Sequence, residues 1–255
     1  MVDKWVGKFA VVTGASAGIG AAIFKDLANA GVNVIGLARR SKKIEEIIKE
    51  LGSTKGKTYA YKCDVSDPKS VTAAFKWIEA EFGVINILVN NAGIGRNAKI
   101  LEEGEDAFNK LNEVFDTNVR GLTQCTREAF RLMKKSDDYS LIININSILG
   151  HSVPFAGFSS NVYSASKHAV TALTAQLRNE LVMSGNIKVR VTSLSPGYVD
   201  TEISVASGFA EEKLRAIKKP TLRPEDIAQS VLFILSTPYT VNISELTIRP
   251  VGAKA

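Results

Sequence analysis

Short runs rich in Val, Ile and Leu recur along this chain with longer amphipathic stretches between them, and that alternation leaves few folds open. The runs fall at 8–14 (KFAVVTG), 32–38 (VNVIGLA), 57–63 (KTYAYKC), 85–91 (INILVNN), 140–147 (SLIININS), 188–195 (KVRVTSLS) and 244–250 (SELTIRP). They are nearly continuous in hydrophobicity, the pattern of strands buried on both faces of a parallel sheet. The stretches 18–30, 41–51, 68–82, 105–135, 162–184 and 224–236 carry helical spacing. Asp67 before Pro68, and Pro224 followed by two acids, are helix-start signals. The alternation predicts an α/β fold: a single-domain, Rossmann-type doubly wound sheet of seven mainly parallel strands flanked by helices. No linker, composition shift or repeat divides the chain, so residues 1–255 read as one domain. Residues 202–220 have a helical pattern outside this rhythm, and 198–220 is read as a substrate lid.

The loop after the first run is TGASAGIG, Thr13 to Gly20. Gly14, Gly18 and Gly20 permit a tight turn and let phosphates come close to the backbone. The helix that follows offers free N–H groups and the positive end of its dipole to a diphosphate. Between a first strand and a first helix, such a loop reads as a dinucleotide site, although its G-x-x-x-G-x-G spacing departs from the usual G-x-G-x-x-G. The second run ends in GLARR. Ala38 stands where an acid would accept from a free ribose 2′-hydroxyl, and Arg39 and Arg40 follow it. A carboxylate would repel a 2′-phosphate, whereas guanidinium groups bind it through charge-assisted hydrogen bonds. Ser16 can add a hydroxyl. NADP(H) is the expected cofactor.

The formal net charge of +6 raises the question of a nucleic-acid partner. Lys and Arg are scattered, and neither a Cys/His finger nor an RNA-binding signature accompanies them, so none is expected. Cys63 and Cys125 lie 62 residues apart and read as reduced, buried thiols. With His151 and His168 the only histidines, no metal site is expected. No apolar run reaches the roughly 18 residues of a membrane span. The opening MVDKWVGKFAVVTG goes straight into a strand, and the protein reads as cytoplasmic.

Tyr163 and Lys167, four residues apart in NVYSASKHAV, share one face of a helix. They are either an ordinary half-exposed pair or an acid tuned by a cation. An unperturbed tyrosine has a pKa of about 10, too high for proton transfer near neutrality, and a nearby ammonium would lower it. Ser147, at the end of the fifth run, is placed where strand ends meet the ligand crevice.

Several pieces carry a resemblance in order and spacing: TGASAGIG at 13–20, CDV at 63–65, NNAG at 90–93, TNV around Asn118, Ser147, YSASK at 163–167 and SPGYVDT at 195–201. Along nearly its whole length the chain resembles the short-chain dehydrogenase/reductase family. That resemblance implies a nicotinamide-dependent oxidoreductase with an Asn118–Ser147–Tyr163–Lys167 tetrad. Tyr163 would be the acid in reduction and the base in oxidation, and Ser147 would hold the substrate oxygen. Lys167 would bind the nicotinamide ribose and depress the tyrosine pKa, and Asn118 would hold a water linking Lys167 to solvent. Asp64 would accept from the adenine amino group, with Val65 against the ring. Asn90 would contribute to the cofactor floor, and Gly93 would let the backbone pass near the ribose. Ile19, Asn91 and Ala92 belong to the cofactor contacts on the same ground. Pro196 and Gly197 would shape the turn under the nicotinamide, with Val199 and Thr201 at its carboxamide or the diphosphate. The resemblance also implies a homodimer or homotetramer built through 105–135 and 162–184.

IININSILGH, YSASKHAVTALTAQLRNEL, SPGYVDTEI and the ending LSTPYTVNISELTIRP look like a subgroup of that family. It holds insect farnesol dehydrogenases and a vertebrate member acting on keto- and hydroxysteroids, which points to a lipophilic alcohol or carbonyl substrate. HSVPFAGFSS, between Ser147 and Tyr163, brings Phe155 and Phe158 to the expected mouth of the site. With Ile94, Tyr198, Ile203, Val205 and Phe209 they could line an apolar pocket or pack the lid. His151, four residues after Ser147, is open between a substrate contact and a structural role. The competing function is a non-catalytic NADP(H)-binding sensor or scaffold, which would be expected to lose Tyr163 or Lys167.

Overall fold

The strands are β1 (Phe9–Thr13), β2 (Asn33–Ala38), β3 (Thr58–Lys62), β4 (Ile87–Asn90), β5 (Ser140–Ile145), β6 (Val189–Pro196) and β7 (Glu245–Ile248). Among the described residues the helices are α1 (Gly18–Asn29), α2 (Ser41–Leu51), α3 (Pro68–Phe82), α4 (Glu105–Phe115), α5 (Leu122–Met133), α6 (Tyr163–Met183) and α7 (Pro224–Ser236). They come from a computed structural model that describes residues 2–153, 162–202 and 220–253. The sheet order is β3-β2-β1-β4-β5-β6-β7, and every neighbouring pair is parallel. This is the doubly wound sheet expected from the alternating runs.

β1 shows how the sheet is sealed on both faces. Ala10 and Val12 join a core with Phe24 and Leu27 of α1 and Ile227 and Val231 of α7. Val11 turns the other way, into a core with Phe75 of α3 and Ala129 and Leu132 of α5. All three are fully buried, so a one-residue slip would exchange the two faces and the register is fixed. Burial on both faces holds for β1, β2, β4, β5 and β6 but not for the edges. In β3 the residues are at most half-buried, Ala60 against one core and Tyr59 and Tyr61 against the other, where Tyr61 stacks on Trp77 with centroids 4.6 Å apart. In β7, Glu245 and Thr247 are exposed while Leu246 and Ile248 are half-buried.

The helix starts follow their signals. Asp67 accepts from Lys69 N at 2.9 Å with Pro68 behind it, and Arg223 and Asp226 form a reciprocal cap at α7. The stretch 105–135 is not one helix. A π turn, Asp116–Gly121, separates α4 from α5. Two tertiary contacts account for it. The Asn118 side chain is hydrogen-bonded to the backbone of Ile94, and Gly121 lies so close to the Val65 carbonyl that a Cβ there would sit 2.6 Å from its oxygen. Such a turn re-aims side chains within a helix and often marks a functional site.

Cys63 and Cys125 are buried free thiols, and burial pushes both pKa values up, that of Cys63 to about 11. Among the described residues no helix is long and apolar enough to cross a membrane.

Candidate active site

Chain order reverses between β1 and β4, which opens a crevice at their carboxyl ends. The glycine loop leaves β1 into it and the NNAG loop leaves β4. Thr13 straps the two together: its Oγ1 accepts from Asn91 N and Ala92 N, each at 3.0 Å, and its carbonyl accepts from Asn91 Nδ2 at 2.9 Å. Gly14 has φ +67°, and a Cβ on it would lie 2.9 Å from Asn91 Nδ2. Gly18 has φ +53° and faces Thr201, whose Cγ2 would be 3.2 Å from a Cβ there. α1 then begins at Gly18 behind Ala17, which supplies no capping side chain, and its first turn holds no acid. The loop thus delivers uncapped N–H groups and a positive helix end to the crevice, with Ser16 and Ile19 half-buried beside them.

On one side of this loop lies the end of β2. Arg39 and Arg40 are exposed there. Arg40 Nη2 reaches Glu202 Oε2 at 3.4 Å, whereas Arg39 enters no ion pair among the described residues. Arg39 lines a cavity of about 240 Å³ with Ser66, Ile94, Arg96, Glu113, Asp116 and Thr117. Asp64 is half-buried after β3; its Oδ1 accepts from Ser66 N and Oγ at 3.0 and 2.7 Å, and Val65 is buried beside it. On the other side, Pro196 ends β6, and Gly197 N donates to Ile248 O at 2.7 Å. Val199 pairs with Leu222, which holds 198–200 against the start of α7. Phe155, Phe158, Ile203, Val205, Phe209 and the helical part of the expected lid lie outside the described residues.

The tetrad is brought together by β5, the π turn and the first two turns of α6. Tyr163 is hydrogen-bonded to Ser147, whose Oγ also accepts from Leu149 N at 3.1 Å. Burial pushes the Tyr163 pKa up to about 12, and the Ser147 hydrogen bond opposes part of that rise. Lys167 is 5% exposed, its Nζ donates to Ile145 O at 2.8 Å, and burial lowers its pKa to about 8. That Nζ lies 5.7 Å from the Tyr163 ring centroid. The expected depression of the tyrosine by the lysine is therefore outweighed by desolvation in this arrangement. Asn118 Oδ1 accepts from Ile94 N at 2.8 Å, and its Nδ2 donates to Ile94 O at 2.9 Å and to Ser166 Oγ at 3.0 Å. Its side chain is thus engaged with the loop backbone and with Ser166. Gly93 lies between the two: a Cβ there would be 3.5 Å from Asn118 Oδ1 and 3.8 Å from Lys167 Nζ. Asn90 turns inward, donating to Thr126 Oγ1 and Asn144 Oδ1 at 2.9 Å each.

A profile of the short chain dehydrogenase family matches residues 8–211. The chain belongs to the short-chain dehydrogenase family. It is 49% identical to a farnesol dehydrogenase of Aedes aegypti over 254 residues, covering 99% of this chain and 100% of that one. It is 38% identical to the mouse dehydrogenase/reductase SDR family member 11, covering 98% and 96%. Among solved structures, an alcohol dehydrogenase of the archaeon Thermococcus sibiricus, complexed with 5-hydroxy-NADP, superimposes with a TM-score of 0.81 at 29% identity, covering 97% and 98%. The closed form of a serine dehydrogenase complexed with NADP+ gives 0.84 at 31%, covering 97% and 96%.

As a short-chain dehydrogenase the chain is an oxidoreductase of a family that uses a nicotinamide cofactor, and the crevice fits such a group. A Cβ on Gly20 would collide with Asn91 Nδ2 and the Gly14 carbonyl oxygen, so the floor of the glycine loop has no space for one. Gly20→Ala is expected to destabilise by about 1–3 kcal/mol, the usual effect of overpacking, and to lower cofactor affinity with it. Thermal melts with and without NADPH test this; an unchanged melting temperature and an unchanged NADPH-induced shift would count against the tight-floor reading. Three residues that position this site were not singled out from the sequence: Thr13, Gly121 and Ser166. Thr13 had a signal in its place at the mouth of TGASAGIG, while the other two act only through tertiary contacts.

Proposed function

We propose that this short-chain dehydrogenase interconverts a lipophilic alcohol and its carbonyl with NADP(H), a terpenoid alcohol such as farnesol or a steroid-like hydroxyl or ketone. The observation that carries the chemistry is the Tyr163 hydroxyl hydrogen-bonded to Ser147 beside a buried Lys167. The substrate class rests on the 49% identity to a protein named farnesol dehydrogenase and the 38% identity to SDR family member 11. The cofactor choice rests on Arg39 and Arg40 in place of an acid after β2.

When bound, the cofactor supplies or accepts the hydride; binding, orientation and proton movement fall to the chain. Gly14, Ser16, Gly18, Ile19 and Gly20 would hold the diphosphate, Arg39 and Arg40 the 2′-phosphate, and Asp64, Val65, Asn91, Ala92 and Gly93 the adenosine and its neighbours. Pro196, Gly197, Val199 and Thr201 would border the nicotinamide. Ser147 orients the substrate oxygen, and Tyr163 gives it a proton in reduction or takes one in oxidation. Lys167 balances the phenolate charge that forms as the proton leaves, and Asn118 fixes the Ile94 loop over the site. The assembly proposed with this reading is a homodimer or homotetramer, and the exposed Phe108 on α4 suits a helix-mediated contact.

A turnover screen with NADPH and NADP against terpenoid alcohols and aldehydes, steroids and small dicarbonyls tests the proposal. Turnover of none of them would leave the non-catalytic binding reading standing. The pKa directions give a further expectation. Tyr163 is raised to about 12, so its acid form persists across the neutral range; Lys167 is lowered to about 8, so its positive charge is lost as pH rises through that value. Reduction should therefore be level at lower pH and decline above about 8. A kcat for reduction that climbs steadily with pH past this point would contradict the assignment.

A further inference from the structure

His151 is the first residue after the short 3-10 turn Ile148–Gly150 that follows Ser147. Its Nε2 lies 3.0 Å from Ser195 Oγ and 3.3 Å from Glu245 Oε1 of β7. Ser195 Oγ is in turn 3.4 Å from Ser193 Oγ, which accepts from Asn146 Nδ2 at 3.3 Å. The connections form a ring. Asn146, immediately before Ser147, is fastened to Ser193 of β6, and His151, four residues after it, to Ser195 two positions further along the same strand. The turn between them is tightened by Gly150 N donating to Ser147 O at 2.8 Å and by Thr171 Oγ1 of α6 donating to Gly150 O at 2.9 Å. Ser147 is thus held in a segment anchored at both ends. Ser195 also directly precedes Pro196 and Gly197, so the same clasp ties the serine turn to the loop on the far side of the crevice.

We infer that His151 is a positioning residue: clasped by Ser195 and Glu245, it fixes the Ser147 hydroxyl against Tyr163 and sets the spacing between the serine turn and the Pro196–Gly197 turn. Two features separate this from a purely structural role. His151 and Glu245 side chains are 35% and 34% exposed, and an ion pair or hydrogen bond at that exposure contributes on the order of 0–1 kcal/mol to stability. A displacement of the reacting geometry, by contrast, is amplified: an offset of about 1 Å can lower turnover about a hundredfold. Loss of the clasp is therefore expected to show in kcat far more than in folding.

The inference rests on the proposed tetrad chemistry, and the experiment separates the two. With a carbonyl substrate from the turnover screen, kcat, KM, the Kd for NADPH by its own fluorescence, and the melting temperature are measured for wild type, His151→Phe, His151→Gln and Glu245→Gln. His151→Phe should lose about tenfold to a hundredfold in kcat with NADPH affinity and melting temperature nearly unchanged. His151→Gln, which keeps an N–H able to reach Ser195 and Glu245, should recover most of the loss, and Glu245→Gln should fall between them. Wild-type kcat in His151→Phe overturns the clasp, as does an equal loss in His151→Gln or a loss that tracks a lowered melting temperature. An inactive wild type fails the tetrad reading instead, and with it the inference.

Discussion

Tyr163→Phe should bind NADPH like the wild type and reduce the substrate about a hundredfold to ten-thousandfold more slowly, the range in which a positioned acid contributes to proton transfer. The change removes one oxygen and little else. Tyr163 opens α6, its ring stays against Lys167, and the Ser147 hydroxyl keeps Leu149 N as a partner, so the local fold has no reason to move. The loss should fall on kcat and leave the Kd for NADPH and the melting temperature near their wild-type values. Ser147→Ala should follow the same pattern to a lesser degree, because it takes away the group that orients the substrate oxygen and leaves the acid in place. The measurement is single-turnover reduction with prebound NADPH, where product release cannot mask the chemical step. If Tyr163→Phe runs at the wild-type rate, Tyr163 is not the proton donor and the proposed function loses its carrying observation.

Burial raises the Tyr163 pKa to about 12, so its hydroxyl is protonated across the neutral range. The sequence pointed the other way, toward a phenol depressed by the ammonium one helical turn below. Spacing told that Tyr163 and Lys167 share a face; it could not tell that Lys167 is buried with its Nζ donating to the Ile145 carbonyl, or that desolvation is the largest cause acting on Tyr163.

The sheet was legible for a simple reason. A parallel strand covered by helices on both sides must be apolar at every position, and 85–91, 140–147 and 188–195 show that without any periodicity to decode. The outer strands were found as strands, but their partial exposure depends on having no neighbour, which is a fact of topology. The turn from β1 into α1 was legible because its positive-φ positions, Gly14 and Gly18, take glycine at least cost. The break in 105–135 was not. Its causes are the Val65 carbonyl pressing on Gly121 and the Ile94 backbone engaging Asn118, contacts made across 56 and 24 residues of chain. His151 was ambiguous for the same reason: Ser195 and Glu245 lie 44 and 94 positions away, and only the order of β5, β6 and β7 brings all three together.

Arg39→Asp is expected to lower the preference for NADPH over NADH by about tenfold to a hundredfold, and Arg40→Asp by less. A charge-assisted hydrogen bond to phosphate contributes about 1.5–3 kcal/mol, and about 1.4 kcal/mol is a factor of ten in affinity. Both side chains are exposed at the end of β2, so either can meet a 2′-phosphate. They are not equivalent. Arg40 Nη2 already faces Glu202 Oε2 at 3.4 Å, and a phosphate there must compete with that carboxylate. Arg39 has no such partner among the described residues and faces the cavity shared with Ser66 and Thr117. The aspartate in Arg39→Asp does two things at once: it removes the guanidinium and offers an acceptor to the 2′-hydroxyl of NADH. The double variant should therefore prefer NADH outright. Because the contact is exposed, the wild-type preference should also weaken as salt is raised from low ionic strength, where screening is least. The test is kcat/KM for both cofactors in the three variants and wild type. A preference unchanged in all three removes the 2′-phosphate assignment, and a larger effect at Arg40 than at Arg39 transfers it to the residue that Glu202 now holds.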